Sequence, residues 1–261
     1  MVFRQLVFYS LLVGLIAGAV VTFAQTMDVI PIIQGAEEFE TSEPEVQAGE
    51  KSMSGSDGHD HSGHHHHGSD GDEWAPEDGW ERTTFTFIAN AIVAMGFGLL
   101  LMSAMMASQK YSPLKLNTEA WWYGLVWGLG GFVITWAVPA IGMAPEIPLQ
   151  AAADLGTRQL WWILTVVCTG AGLGVLIFSG AMWRWLVGPV LLAIPWLVGA
   201  PPHPEGPMFP DQPAEAAAAL EALAAKFAGA TAIANAVLWI VIGWLSAWSV
   251  RRVLPSKEKP A

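Results

Sequence analysis

Apolar residues fall along this chain in long runs, separated by short polar segments. Six runs are mostly apolar and contain no acidic residue well inside them; they cover residues of about 5–24, 85–106, 121–142, 160–179, 183–200 and 228–249. A helix that crosses the hydrocarbon core of a bilayer needs about 20 such residues. The pattern therefore predicts six transmembrane helices.

The composition supports this prediction. Hydrophobic residues make up 53% of the 261 residues and charged residues only 13%, whereas a soluble domain carries about a quarter charged residues. We therefore expect an all-α integral membrane protein, a six-helix bundle whose partners include the lipid bilayer. The single cysteine, Cys168, excludes a disulfide framework. The net charge of −11 argues against nucleic-acid binding.

Lysine and arginine predict the orientation, because cytoplasmic loops are enriched in these residues. With six spans and a cytoplasmic N-terminus, the inner segments carry eight basic and two acidic residues, and the outer segments carry four basic and 21 acidic residues. The net charges are +6 inside and −17 outside, which together give the −11 of the chain. We expect both termini to be cytoplasmic, in a bacterial inner membrane.

The predicted organisation has three parts. Residues 1–30 form the first transmembrane helix, which we expect to be retained, although a cleaved signal peptide is the alternative. Residues 31–83 form an outer loop, and its Gly-, Ser-, Asp- and His-rich centre at 52–72 is expected to be disordered. Residues 84–261 form a five-helix membrane domain with an Ala-rich outer helix near 211–227.

Small and polar residues inside the spans predict how the helices pack. Three GxxxG pairs, which permit close helix contact in lipid, are Gly14 with Gly18, Gly124 with Gly128, and Gly170 with Gly174. The polar residues at membrane depth are expected to hydrogen-bond between helices, and they are Asn90, Thr165, Thr169, Thr231 and Asn235. The tryptophan pairs near the span ends, among them Trp161 and Trp162, predict interfacial belts.

The outer loop carries the most specific chemical signal. Six of the seven histidines lie within nine residues, interleaved with carboxylates: the candidate metal ligands are His59, His61, His64, His65, His66 and His67, with Asp57 and Asp60 beside them. Neutral imidazole binds Co²⁺, Ni²⁺, Cu²⁺ and Zn²⁺. We expect capture of a divalent metal outside the membrane and no tightly bound cofactor.

A second candidate ligand is His203, which follows the fifth span. Pro189 and Pro195 lie within that span, and proline removes a backbone donor, so a kinked or broken helix is expected there. Broken helices often mark transport sites. Further outer-edge carboxylates complete a possible metal entrance: Glu37, Glu38, Glu146 and Asp154.

Several runs of the sequence resemble the CbtA family of proposed cobalt-transporter subunits. They are the His-rich loop, Trp74-Ala-Pro-Glu-Asp-Gly-Trp-Glu-Arg82, Arg158-Gln-Leu-Trp-Trp162 and the Pro-rich end of the fifth span. The resemblance implies a multi-span protein that imports Co²⁺ with a small single-span, His-containing partner, CbtB. The family is often described with five spans, whereas the charge arithmetic closes only with an even number.

Other interpretations stay open at this stage. The chain could transport Ni²⁺, Zn²⁺ or Cu²⁺, or export metal. It could instead be a non-transporting membrane protein that binds metal outside and acts as an assembly or sensor subunit. An enzyme is not expected, because the sequence contains no Walker, HExxH or Ser/His/Asp pattern.

Overall fold

The computed structural model describes residues 2–41 and 78–253, and these residues form helices without any β-strand. The six helices are α1 (Val2–Thr41), α2 (Trp80–Tyr111), α3 (Trp122–Gly142), α4 (Leu155–Phe178), α5 (Arg184–Val198) and α6 (Ala214–Val253). A π-helical stretch, Val133–Ala137, interrupts the α-helical hydrogen bonding of α3. The predicted disordered segment at 52–72 lies outside the described residues.

Five of these helices are long and apolar enough to cross a membrane, and they are α1, α2, α3, α4 and α6. They contain the predicted spans at 5–24, 85–106 and 228–249, and they coincide within a few residues with those at 121–142 and 160–179. The fifth predicted span corresponds to α5, which has only 15 residues. At 1.5 Å per residue it is about 22 Å long, shorter than the ~30 Å hydrocarbon core.

The predicted end of the first helix near residue 30 is wrong. Helix α1 continues to Thr41 and has 40 residues, a length of about 60 Å. Its last part is helical because it packs on the first part of α6: Val29 and Ala36 of α1 and Leu220 and Phe227 of α6 are all buried in the hydrophobic core. Residues 31–41 therefore belong to the helix rather than to a loop.

Helix α6 also has 40 residues, so the Ala-rich segment and the last predicted span are one uninterrupted helix. Both α1 and α6 are about twice as long as the membrane core is thick. They extend together beyond one face of the bundle, where Ile147 and Phe209 of two loops add to the same core. The chain thus builds a small extramembrane layer from the ends of its own spanning helices.

Close glycine contacts join α1 to α2 and α3 to α6. A Cβ atom on Gly18 would lie 2.7 Å from Cα of Ala91 in α2, and one on Gly128 would lie 2.4 Å from the carbonyl oxygen of Trp239 in α6. These two GxxxG predictions are confirmed. The third pair is wrong for Gly174, which has no neighbour within 4 Å of such an atom, and Gly170 makes only an ordinary contact, at 3.7 Å, with the Ile134 side chain of α3. The close contact with α5 is made by Gly172 instead.

Helices α4 and α5 form an antiparallel hairpin that contacts the remaining helices mainly through α3. Neither Pro189 nor Pro195 breaks α5, which is one continuous helix through both residues. The sequence-based expectation of a broken helix is therefore wrong, while a kink stays a prediction. The helix ends at Gly199, whose φ of +85° is easily adopted by a residue without Cβ.

The described ends of the chain lie at the same end of the bundle. The Tyr9 ring in α1 and the Trp248 ring in α6 make an edge-to-face contact at 5.7 Å. At the opposite end, Gln34 of α1 donates to Asp78 just before α2. The described residues that flank segment 42–77 therefore lie at the end of the bundle opposite Tyr9 and Trp248.

Candidate metal entrance

Arg82 links α1 to α2. It lies close to residues 41 and 78, where the described parts of the chain on either side of the His-rich segment end and begin. Its Nη1 and Nη2 donate to the two carboxylate oxygens of Glu37 at 3.2 and 3.1 Å. Its Nε lies 2.9 Å from Oδ1 of Asp78. Two carboxylates on one guanidinium leave a local excess of one negative charge. Glu37 is thus part of an ion pair, and metal binding there would compete with Arg82.

Glu146 occupies a second ion pair at the same end of the bundle. Its carboxylate lies 2.5 Å from Nη2 of Arg158, and only 8% of the Glu146 side chain is exposed. A carboxylate with so little access to water needs such a partner, because desolvation disfavours its charge. Arg158, which begins the Arg-Gln-Leu-Trp-Trp run, is therefore the charged partner of this predicted entrance carboxylate.

Asp154 is the N-cap of α4. Its carboxylate accepts the backbone N–H of Thr157 at 2.9 Å and the Thr157 hydroxyl at 3.1 Å. These two donors hold the pKa of Asp154 below its usual range, since both favour the ionised form. Asp154 is exposed, and its present role is to satisfy a backbone donor at the start of the helix.

His203 lies in the non-helical segment between Gly199 and Gly206 and is exposed. Glu38 is an exposed residue of the last part of α1. Within residues 2–41 and 78–253, no three His, Cys, Asp or Glu side chains form a group that could hold a metal ion. The metal-ligand role of His203 and the entrance role of the acids stay predictions.

The remaining candidate ligands lie outside the described part of the chain. They are His59, His61, His64, His65, His66 and His67 together with Asp57 and Asp60. The described chain flanks this segment at Thr41 and Asp78, near the Glu37–Arg82–Asp78 cluster.

Polar residues inside the bundle mostly satisfy backbone groups. Asn90 of α2 is the exception: it donates to Thr22 and Gln25 of α1, at 3.0 and 2.6 Å. This confirms the prediction of an interhelical hydrogen bond for Asn90. The side chains of Thr165, Thr231 and Asn235 instead donate to carbonyls one turn earlier in their own helices. The prediction of interhelical hydrogen bonds is therefore wrong for these three residues.

The comparison that decides the family covers nearly the whole chain. Residues 3–251 match the model of CbtA, described as a probable cobalt transporter subunit. The chain belongs to the CbtA family. A search of curated proteins gives no match. A search of solved structures gives none either. Membership and the five long apolar helices together make this a multi-pass membrane protein of a cobalt-transport family.

The family description also bears on chemistry and partners. A transporter subunit acts with at least one further component, so this CbtA chain is part of an assembly. A transporter subunit also implies a role other than catalysis of a chemical reaction. The sequence-based expectations of membrane location and cobalt transport agree with this membership.

Sequence reasoning missed the role of the Trp161–Trp162 pair in this CbtA chain. Trp161 is 4% exposed, and its Nε1 donates to the carbonyl of Pro195 in α5 at 3.3 Å. Trp162 donates to the carbonyl of Thr135 in α3 at 3.1 Å. Two adjacent indoles thus fasten α4 to the helices on its two sides, and the belt interpretation is wrong for Trp161.

A signal for one of these contacts was present in the sequence. Pro139 stands four residues after Thr135 and has no N–H, so the Thr135 carbonyl loses its usual α-helical donor. The indole N–H of Trp162 takes that place. The π-helical turn at Val133–Ala137 includes Thr135. Such turns inside α-helices occur frequently at functional sites.

Proposed function

We propose that this chain is the membrane subunit of a Co²⁺ importer and that its His-rich outer segment captures the metal. The observation that carries the proposal is the family match over residues 3–251. We further propose six spans in a bacterial inner membrane, with both termini cytoplasmic and with a CbtB-type single-span protein as the partner.

Two observations support this topology. The Tyr9–Trp248 contact brings both ends of the described chain to one end of the bundle, as an even number of spans requires. Eight of the twelve Lys and Arg residues fall in the segments assigned to this end and four in those of the opposite end, and the positive-inside rule associates the richer end with the cytoplasm. The 15 residues of α5 then form the fifth of the six spans, with thinning of the bilayer or polar end residues compensating its shortness.

The acidic outer face supports capture rather than tight binding. Local negative charge raises the concentration of cations near a surface, and six closely spaced histidines offer several ligand sets of moderate selectivity. In the proposed path, the metal passes from the histidines at 59–67 toward His203 and the carboxylates Glu37, Glu38, Glu146 and Asp154. Arg82 and Arg158 compete with the metal for Glu37 and Glu146, so a metal ion would be passed on rather than retained there.

The decisive experiment measures radioactive Co²⁺ uptake into vesicles that contain this chain with its small partner. Removal of residues 57–70 is compared with removal of residues 42–55. Each deletion removes 14 residues and three carboxylates, but only the first removes the six histidines. We expect the first deletion to raise the Co²⁺ concentration needed for half-maximal uptake, and the second to leave it unchanged.

Variant His203→Ala, alone and combined with the 57–70 deletion, tests the second step of the path. Uptake that is unchanged in the double variant contradicts both histidine roles. Competition by Ni²⁺, Zn²⁺ and Cu²⁺ distinguishes the transported metal, and metal loss from preloaded vesicles would indicate export. Metal binding outside without any transport, with and without the partner, would favour the assembly or sensor role instead.

A further inference from the structure

An open groove of about 320 Å³ lies at the outer end of α4. It is lined by Met143, which follows α3, and by five residues of α4. The lining residues are Met143, Leu155, Arg158, Gln159, Trp162 and Ile163. The set includes one cation and no carboxylate or imidazole, so the groove suits neither a metal ion nor the cargo path proposed above.

The groove follows α4 from its first residue into the membrane. Leu155 and Ile163 are eight residues apart, a rise of about 12 Å along the helix. Both are widely exposed, at 63% and 51%, and the helix between them is the beginning of a candidate span of 24 residues. One end of the groove is therefore at the interface and the other lies among acyl chains.

Arg158 stands at the interfacial end with more donors than Glu146 satisfies. Glu146 takes Nη2, while Nε is buried without a hydrogen-bond acceptor among the described residues. The Arg158 side chain is 27% exposed, so part of the guanidinium is accessible from the groove. A phosphate group is well suited to such a planar donor set.

The surrounding charge selects among phosphate-containing ligands. The Asp154 carboxylate lies one turn from Arg158, whose backbone N–H donates to the Asp154 carbonyl at 3.1 Å. An exposed carboxylate one helical turn from the arginine repels a ligand with net negative charge and attracts an ammonium group. A zwitterionic headgroup satisfies both neighbours, with its phosphate on the arginine and its ammonium toward the acid.

We propose that this groove binds a zwitterionic phospholipid of the outer leaflet, with its phosphate on Arg158 and one acyl chain along Leu155, Trp162 and Ile163. The proposal depends on α4 spanning the membrane and not on which metal the protein transports; only the choice of the outer leaflet rests on the proposed orientation. The bound lipid seals the flank between the end of α3 and the start of α4, next to the Trp162–Thr135 hydrogen bond.

The test measures binding of dioleoylphosphatidylethanolamine to the full chain in detergent, by native mass spectrometry and by the lipid-dependent rise in the unfolding temperature. Variant Ile163→Trp partly fills the groove. Its matched control is Ile233→Trp on α6, where the native side chain is 60% exposed. Filling the groove removes van der Waals contacts between the acyl chain and α4, which are the contacts that matter where the surrounding medium is itself apolar. We therefore expect weaker binding for Ile163→Trp and binding like that of wild type for Ile233→Trp.

A second variant, Gln159→Glu, adds a negative charge at an exposed lining position without disturbing the Arg158–Glu146 pair. It should weaken phosphatidylethanolamine binding, whereas inorganic phosphate alone should not stabilise the wild-type protein. The proposal is overturned if wild type binds no phosphatidylethanolamine, or if Ile163→Trp and Ile233→Trp bind it equally. Stabilisation by inorganic phosphate to the same extent would also overturn it, because the acyl chain would then contribute nothing.

Discussion

Replacing Gly128 by alanine tests whether backbone contact between α3 and α6 holds the bundle together. The added Cβ would lie 2.4 Å from the carbonyl oxygen of Trp239, whereas carbon–oxygen contacts in proteins begin near ~3.3 Å. The two helices must separate locally by about 0.9 Å. A gap of this size forfeits about a quarter to a half of the dispersion energy of the atoms that lose contact.

Gly130 offers an internal control on the same helix. A Cβ on this residue would have no neighbour within 4 Å, so Gly130→Ala introduces the same methyl group without a clash. Alanine is favoured over glycine in a helix by up to about 1 kcal/mol, and overpacking costs about 1–3 kcal/mol. Since both variants gain the same helix preference, we expect Gly128→Ala to be less stable than Gly130→Ala by the overpacking cost of about 1–3 kcal/mol, or roughly 5- to 150-fold in the folding equilibrium.

The assay is reversible unfolding by sodium dodecyl sulfate in mixed micelles, followed by tryptophan fluorescence and near-UV circular dichroism. Both variants should keep the helical content of wild type, because the substitution favours helix. Equal unfolding free energies for the two variants would refute the argument, since the methyl group at residue 128 would then meet no obstacle. We expect Gly128→Ala to stay destabilised in a complex with the partner, because the clash lies between α3 and α6 of the same chain.

Three further predictions concern the outer end of α4. Arg158→Gln leaves the carboxylate of Glu146 nearly buried and unpaired, and should lower the free energy of unfolding by about 1–3 kcal/mol; adding Glu146→Gln should restore most of it in the same assay. Trp161→Phe loses one indole hydrogen bond worth about 1 kcal/mol, whereas Trp121→Phe, at a residue 76% exposed, should change nothing measurable. Because the folded pKa of Asp154 is lowered, its stabilisation is present above the unfolded value of about 3.9 and is lost as the pH falls through the folded value. The stability difference between wild type and Asp154→Ala should therefore shrink on acidification, and a difference independent of pH would contradict the capping role.

The entrance residues show where sequence reasoning reached its limit. Charge and span counting predict that Glu37 and Glu146 lie at the same, acidic end of the bundle. Neither charge nor span counting predicts the ion pairs that these carboxylates make with Arg82 and Arg158. Glu37 and Arg82, for example, are 45 residues apart and meet only because α1 packs against α2. The partner of a charged side chain depends on which helices become neighbours, and neither hydropathy nor charge counts contain that information.

The amino-acid sequence by itself determined that this is a membrane protein, roughly where its five long spanning helices lie, and to which family it belongs. Each of these depends on local runs of apolar residues or on short specific motifs, because lipid requires every spanning segment to be apolar and to satisfy its own backbone. Only the tertiary structure decided that α1 extends to Thr41, that Gly172 rather than Gly174 contacts α5, and that Trp161 and Trp162 fasten α4 to α5 and α3. These features depend on contacts between residues distant in sequence. Whether a helix face is buried, a glycine allows close contact or a carbonyl freed by proline finds a donor depends on which helix packs against it.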